Sequence, residues 1–225
     1  MAAAPLLFIF LVLNLNLNPF GSQAQSLVQP KFDGFVYGGK TSDFNPDAIL
    51  IEAFFDPVCP DTRDTWPPLK QALKFYGSRR VSLIVHTFPL PYHDNSFITS
   101  RALHVVDGLN PSATYPLLEL FFSEQEKFYN LYTSNTTKID TVNRIIDLVA
   151  DTAGQKYYSA IQSGFSDQLT DLKTRFAFKY GSSRGVYGTP TFILNGVVLP
   201  DAGSPVDYAG WRKLIDPLVG SKKAQ

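Results

Sequence analysis

Ile49-Leu50-Ile51-Glu52-Ala53-Phe54-Phe55-Asp56-Pro57-Val58-Cys59-Pro60-Asp61-Thr62 decides how this chain is read. The apolar run of residues 49–55 reads as a buried strand, and an amphipathic pattern opens just after it. Between the two lie Pro57 and Pro60, so the strand stops at a tight turn. Cys59, the single cysteine of the chain, stands at the mouth of the following helix. A helix N-terminus favours negative charge, so a thiol there is expected to ionise more readily than a free one. Asp56, Asp61 and Asp64 oppose that by like-charge repulsion, and Arg63 offsets one of them. The expectation is an accessible thiol and a weak nucleophile.

Outward from this stretch, Trp66, Leu69, Leu73 and Tyr76 recur at helical spacing, predicting a helix over residues 60–76 that Pro67-Pro68 should kink and Gly77 should end. Residues 81–85 read as the next buried strand. Strand, helix and strand make one crossover unit of a parallel pair. A short first strand is expected at residues 35–37. A strand-poor stretch follows, with helices expected over residues 97–106, 115–128, 139–149 and 169–180. Ile139, Val142, Ile145, Ile146 and Val149 form its clearest stripe, with Thr137 as N-cap. Strand signals resume at residues 191–194. Asn195-Gly196 then supplies the two positive-φ positions of a tight hairpin turn before residues 197–199. The last helix sets Tyr208, Trp211, Leu214, Ile215 and Leu218 on one face.

The 225 residues hold 20 Lys and Arg against 20 Asp and Glu, which points away from nucleic acid and from anionic membrane surfaces. Residues 6–13 are apolar but too short to span a bilayer, and Ser22-Gln23-Ala24 offers small residues at signal-peptidase spacing. Residues 1–24 are therefore read as a cleaved secretory signal, leaving residues 25–225 as one domain with no membrane association after cleavage. Asn135-Thr136-Thr137 is an acceptor for N-glycosylation in a polar stretch. A secreted domain with one cysteine has no internal disulfide, so packing must stabilise it. Three scattered histidines and one cysteine do not compose a zinc site. No glycine loop of phosphate-binding type is present. His93-Asp94, after the third strand, allows a Cys-His-Asp acyl-transfer arrangement on paper, but a loop histidine or helix cap is the plainer reading.

The order of elements resembles the thioredoxin superfamily: strand, helix opening at a cysteine, strand, helical segment, Gly188-Thr189-Pro190, antiparallel hairpin, final helix. The long helical segment, about residues 95–182, makes it most similar to the DsbA-like branch, where it counts as an insertion between a βαβ and a ββα unit. Pro67 falls eight residues after the cysteine, where thioredoxins commonly kink this helix. Val186-Tyr187-Gly188-Thr189-Pro190-Thr191-Phe192-Ile193-Leu194-Asn195-Gly196 resembles the cis-proline loop and hairpin of that branch. The likeness covers residues 32–219 and extends to secreted thioredoxin-like proteins of plants.

That resemblance implies a cis Pro190 lying against the Cys59 sulfur. It also implies that Thr189 pairs its backbone with an extended substrate, in the manner of strand addition. Pro60 and Asp61 would flank the substrate. Thr62 stands where two-cysteine members carry the resolving thiol. Threonine can hydrogen-bond a sulfur but cannot release a mixed disulfide. Net oxidation or reduction by this chain alone is thus excluded. What remains is trapping, exchange with glutathione as co-substrate, or isomerisation. Three functions follow: a single-cysteine exchange protein acting on protein and peptide thiols of the secretory route, a redox-inactive peptide-binding module, and a glutathione transferase of the kappa type. No bound cofactor is expected.

Overall fold

The apolar run at Ile49–Phe55 is the central strand, β2, of a five-stranded sheet, and six of its seven residues are buried. The computed structural model describes residues 34–38, 45, 47–200 and 202–221; the segment read as a signal peptide lies outside them. Strand β1 (Phe35–Val36) pairs antiparallel with β3 (Val81–Thr87), and β3 pairs parallel with β2. On the other side β4 (Thr191–Leu194) and β5 (Val197–Val198) add antiparallel, giving the order β1-β3-β2-β4-β5. Helix α1 (Pro60–Tyr76) is the crossover that the parallel pair requires. Layers on both faces explain why β2 reads as a continuous apolar run rather than an alternating one.

Alternation nevertheless assigns each side chain of β2 to a layer. Phe55 belongs to the larger core, with its ring 5.9 Å from that of Phe192, which in turn meets Trp211 edge-on at 4.9 Å. Burial of side chains of this size contributes roughly 1.5–3 kcal/mol each. Phe54 faces the other way, into a smaller cluster with Cys59, Phe88, Leu90, Val186 and Ile193. Glu52 shares that face and accepts from Tyr180 Oη at 2.7 Å, with His86 and Arg184 each 3.5 Å from its carboxylate.

Between β3 and β4 the chain is helical: α2 (Ser96–Leu109), α3 (Thr114–Ser123), α4 (Asn130–Thr133), α5 (Lys138–Ala153), α6 (Tyr158–Gly164) and α7 (Gln168–Ser183). Helix α8 (Tyr208–Ser221) closes the described chain. Thr137 caps α5 as expected, accepting from the Asp140 N–H at 3.2 Å. The Asn195-Gly196 turn has φ of 48° and 84°, as its sequence requires. Helix α1 continues through Pro67 and Pro68 in one span.

Two expectations need correction, and two short helices were not anticipated. Ile139 is 63% exposed, because it sits in the first turn of α5, before the helix reaches the core. The helix expected over residues 115–128 ends at Ser123, and Gln125–Phe128 is a separate 3-10 turn. The short helices α4 and α6 have too few residues to show an apolar period.

Candidate functional site

Asp56 builds the turn that carries the cysteine. Its backbone carbonyl accepts from the Cys59 N–H at 3.1 Å, and its Oδ1 accepts from the Val58 N–H at 2.9 Å. This is the local bonding that makes aspartate a turn former. Its Oδ2 takes the Leu90 N–H at 3.2 Å and His93 Nδ1 at 2.7 Å. The carboxylate is fully buried, and its three bonds tie the loop after β2 to the loop after β3.

Gln125 holds the same turn from the helical side. Its Nε2 donates to the carbonyls of Pro57 at 3.0 Å and Cys59 at 2.9 Å, and its Oε1 accepts from Tyr129 Oη at 2.7 Å. Cys59 is then the N-cap of α1, with Pro60 in the first turn, where a missing N–H costs nothing. Across the rim, the Thr189-Pro190 bond is cis, and Cys59 Sγ donates to the Thr189 carbonyl at 3.3 Å. Sulfur and proline segment, 130 residues apart, meet at the end of β2.

The structure places the expected residues unevenly. Cys59, Thr189 and Pro190 come together. Pro60 is half-buried beside them, and Asp61 is exposed on the first turn of α1. Two expectations fail. Cys59 is 4% exposed rather than accessible, because the Thr189 carbonyl and the Phe54-Phe88-Leu90 cluster cover its sulfur. Thr62 is fully buried and does not bond the sulfur: its Oγ1 has no hydrogen-bond partner among the described residues. The Thr189 hydroxyl is likewise buried without a partner there.

His93 finds its carboxylate in Asp56, not Asp94, and no hydrogen bond joins it to the sulfur, so there is no acyl-transfer triad. The other two histidines belong to the packed interior: His86 beside Glu52, and His104 Nε2 3.0 Å from Thr87 Oγ1. Among the described residues no group of three or more His, Cys, Asp or Glu side chains is arranged to hold a metal ion, and no helix is long and apolar enough to cross a membrane.

Beside the thiol loop lies a groove of about 290 Å³, lined by Val58, Pro60, His93, Phe128, Tyr129 and neighbouring residues of α4. Tyr92 stands at the loop's outer edge, 62% exposed. Burial, then the Cys59 sulfur and the carboxylates of Asp56 and Asp61, push its phenol above the ordinary range. Burial does the same for Tyr129, with Arg63 opposing and Glu126, Asp64 and Cys59 adding. Two tyrosine hydroxyls therefore share the electrostatic neighbourhood of the sulfur.

A thioredoxin family model matches residues 45–217, which take in both the cysteine turn and the cis-proline segment. The chain belongs to the thioredoxin family. Solved structures with the same fold include a candidate protein-disulfide isomerase from Pseudomonas syringae, 22% identical, covering 81% of this chain and 98% of that one at a TM-score of 0.67. BdbD from Bacillus subtilis is 15% identical, with coverage of 84% and 94% and a TM-score of 0.63. The thiol-disulfide exchange protein alpha-DsbA2 from Wolbachia pipientis is 16% identical, with coverage of 77% and 84% and a TM-score of 0.60. At these identities the likeness concerns the fold. Among curated proteins none matches. Within this thioredoxin fold, sequence reasoning missed Asp56 as the turn's organiser, and missed Gln125 altogether.

Proposed function

We propose that this thioredoxin-family chain is a single-cysteine thiol-disulfide exchange protein of the secretory pathway, acting on extended cysteine-containing peptides. The observation that carries the reading is the meeting of Cys59 Sγ with the Thr189 carbonyl at 3.3 Å, at the N-terminus of α1. Deprotonated Cys59 attacks a substrate disulfide. One sulfur–sulfur bond forms to Cys59 as the substrate's own breaks, and the departing thiolate takes a proton from water. With Thr62 in the fourth position, release falls to an outside thiol: glutathione as co-substrate, or a second thiol of the substrate, which yields isomerisation. Turnover is then slow, because no neighbouring thiol supplies the effective concentration of a dithiol site. The solved relatives described as a thiol-disulfide exchange protein and a disulfide isomerase support this reading.

Secretion and N-glycosylation belong to the same proposal. Asn135 lies exposed in the turn between α4 and α5, as an acceptor must. A shift in apparent mass on treatment with an N-glycosidase, lost in Asn135→Gln, tests both.

The 4% exposure of Cys59 favours a second reading, a peptide-binding module whose thiol is no longer used. Trapping separates the two. Protein expressed in a secretory route is alkylated and resolved on non-reducing gels. Mixed disulfides present in the wild type and absent from Cys59→Ser support exchange. Their absence, together with unchanged peptide binding in the serine variant, overturns it in favour of the module.

A further inference from the structure

Helix α4 is four residues long, too short to hold itself, so bonds from its neighbours must fix it. Asn130 donates to the Tyr92 carbonyl and accepts from the Asp94 N–H, both at 2.9 Å. Thr133 is buried, and its Oγ1 accepts from Asn95 Nδ2 at 2.9 Å. Those bonds seat one side of the turn. The other side carries Leu131 and Tyr132, 79% and 62% exposed. Ile139, in the first turn of α5, is a third exposed apolar side chain of the same stretch. Single exposed apolar residues need no explanation, but several around one short turn mark a surface that has an occupant.

Midway along that stretch stands Asn135-Thr136-Thr137, the acceptor for N-glycosylation. The turn that carries it closes through the Thr136 N–H, which donates to the Thr133 carbonyl at 2.9 Å. Ser134 keeps helical dihedrals, φ −54° and ψ −30°. Residues three apart on helical backbone lie on the same side, with about 5–6 Å between their Cβ atoms. Tyr132 and Asn135 are such a pair, so a sugar joined to Asn135 Nδ2 starts beside the tyrosine ring. The chemistry of the two surfaces matches. One face of N-acetylglucosamine presents only axial C–H bonds, and the electron-rich face of a phenol attracts polarised C–H bonds while both surfaces leave water. A protein docking on the same patch would meet a branched, solvated sugar chain at its centre. The glycan is thus the occupant that the sequence itself delivers.

We infer that the first N-acetylglucosamine of a glycan on Asn135 packs on the ring of Tyr132 and so stabilises α4 and the turn that follows it. The inference rests on the glycosylation reading and is independent of what Cys59 does. Its consequence reaches the thiol loop all the same. Phe128, Tyr129, Asn130 and Leu131 form one wall of the groove of about 290 Å³ beside the cysteine turn, and a sugar that holds α4 holds that wall.

The test uses the full chain expressed in a secretory host that leaves high-mannose glycans. One portion is trimmed with an endoglycosidase that leaves only the first sugar on the asparagine. Asn135→Gln supplies the bare protein, because Thr137 also caps α5, accepting from the Asp140 N–H at 3.2 Å, and must stay. The single-sugar protein is expected to melt with the intact glycoprotein and about 2–4 °C above Asn135→Gln, the shift that a contact of aromatic-pair strength gives in a domain of this size. That difference is expected to vanish in Tyr132→Ala and to persist in Tyr132→Phe, which keeps the ring. Proton NMR of the sugar should show upfield shifts in the wild type and the phenylalanine variant only, as expected of protons lying over an aromatic face. A melting difference that survives Tyr132→Ala overturns the inference, as does a single-sugar protein that melts with the bare one. Mass spectrometry separates this from the reading beneath it. An unmodified Asn135 removes the glycosylation reading and the inference together. A modified Asn135 whose melting difference does not depend on Tyr132 leaves the first standing and removes the second.

Discussion

Removing the Asp56 carboxylate should unseat the cysteine turn, and the cost follows from its bonds. In Asp56→Ala two backbone donors, Val58 N–H and Leu90 N–H, lose their acceptor at residues 1% and 3% exposed, where water cannot replace it. Each orphaned donor costs about 1–3 kcal/mol. His93 is 23% exposed at its side chain and can turn to water, so its loss adds little. The sum is about 2–6 kcal/mol, a large part of the roughly 5–15 kcal/mol that holds a domain folded. His93→Ala leaves both backbone donors satisfied and should cost only about 1–2 kcal/mol. Urea unfolding followed by tryptophan fluorescence reads this as a fall in midpoint at unchanged slope. The same variant should expose the thiol, so Cys59 should react faster with an aromatic disulfide reagent. A loss below about 1 kcal/mol in Asp56→Ala, or equal losses in the alanine variants of Asp56 and His93, refutes the bonding argument.

Three further outcomes are expected. Thr62→Val replaces a buried, unpartnered hydroxyl by a methyl of similar size, so it should stabilise the fold by about 1 kcal/mol in the same urea assay; destabilisation would mean that the hydroxyl has a partner. Gly181→Ala gains helix propensity worth about 1 kcal/mol, but its Cβ would lie 2.6 Å from a Phe88 ring carbon and 3.1 Å from one of Phe54. Overpacking of about 1–3 kcal/mol should win, and the displaced Phe88 should raise the alkylation rate of Cys59. For Glu52, burial pushes the carboxyl up, but bonds from His86 and Tyr180 with the charges of His86 and Arg184 outweigh it and hold it below its ordinary 4.5. A depressed carboxyl contributes stability above its unfolded value and loses it as pH falls through the folded one. The urea midpoint should therefore drop on acidification below about pH 4.5, and the drop should be shallower in Glu52→Gln.

The parts of this fold readable from sequence were those encoded by neighbours along the chain. The stop at Pro57 and Pro60, the N-cap position of Cys59 and the Asn195-Gly196 hairpin are local chemistry, and each stands where its residues imply. Asp56 was legible only as a charge near a thiol. Its actual role depends on Leu90 and His93, more than 30 residues away, which convert a repelling carboxylate into an internal acceptor. Gln125 gave no signal, since a glutamine in a polar stretch looks like surface until the turn packs over it. The depth of the sulfur was likewise hidden. A proline-flanked turn suggests exposure, and only the Thr189 carbonyl arriving from the far end of the chain covers it.

Gln125 grips carbonyls on both sides of Val58 while Tyr129, which lines the neighbouring groove, grips Gln125. Two rigid hydrogen-bonded steps thus connect the wall of the groove to the backbone of the cysteine. A side chain seated against Tyr129 would therefore lie two hydrogen bonds from the backbone that carries the thiol.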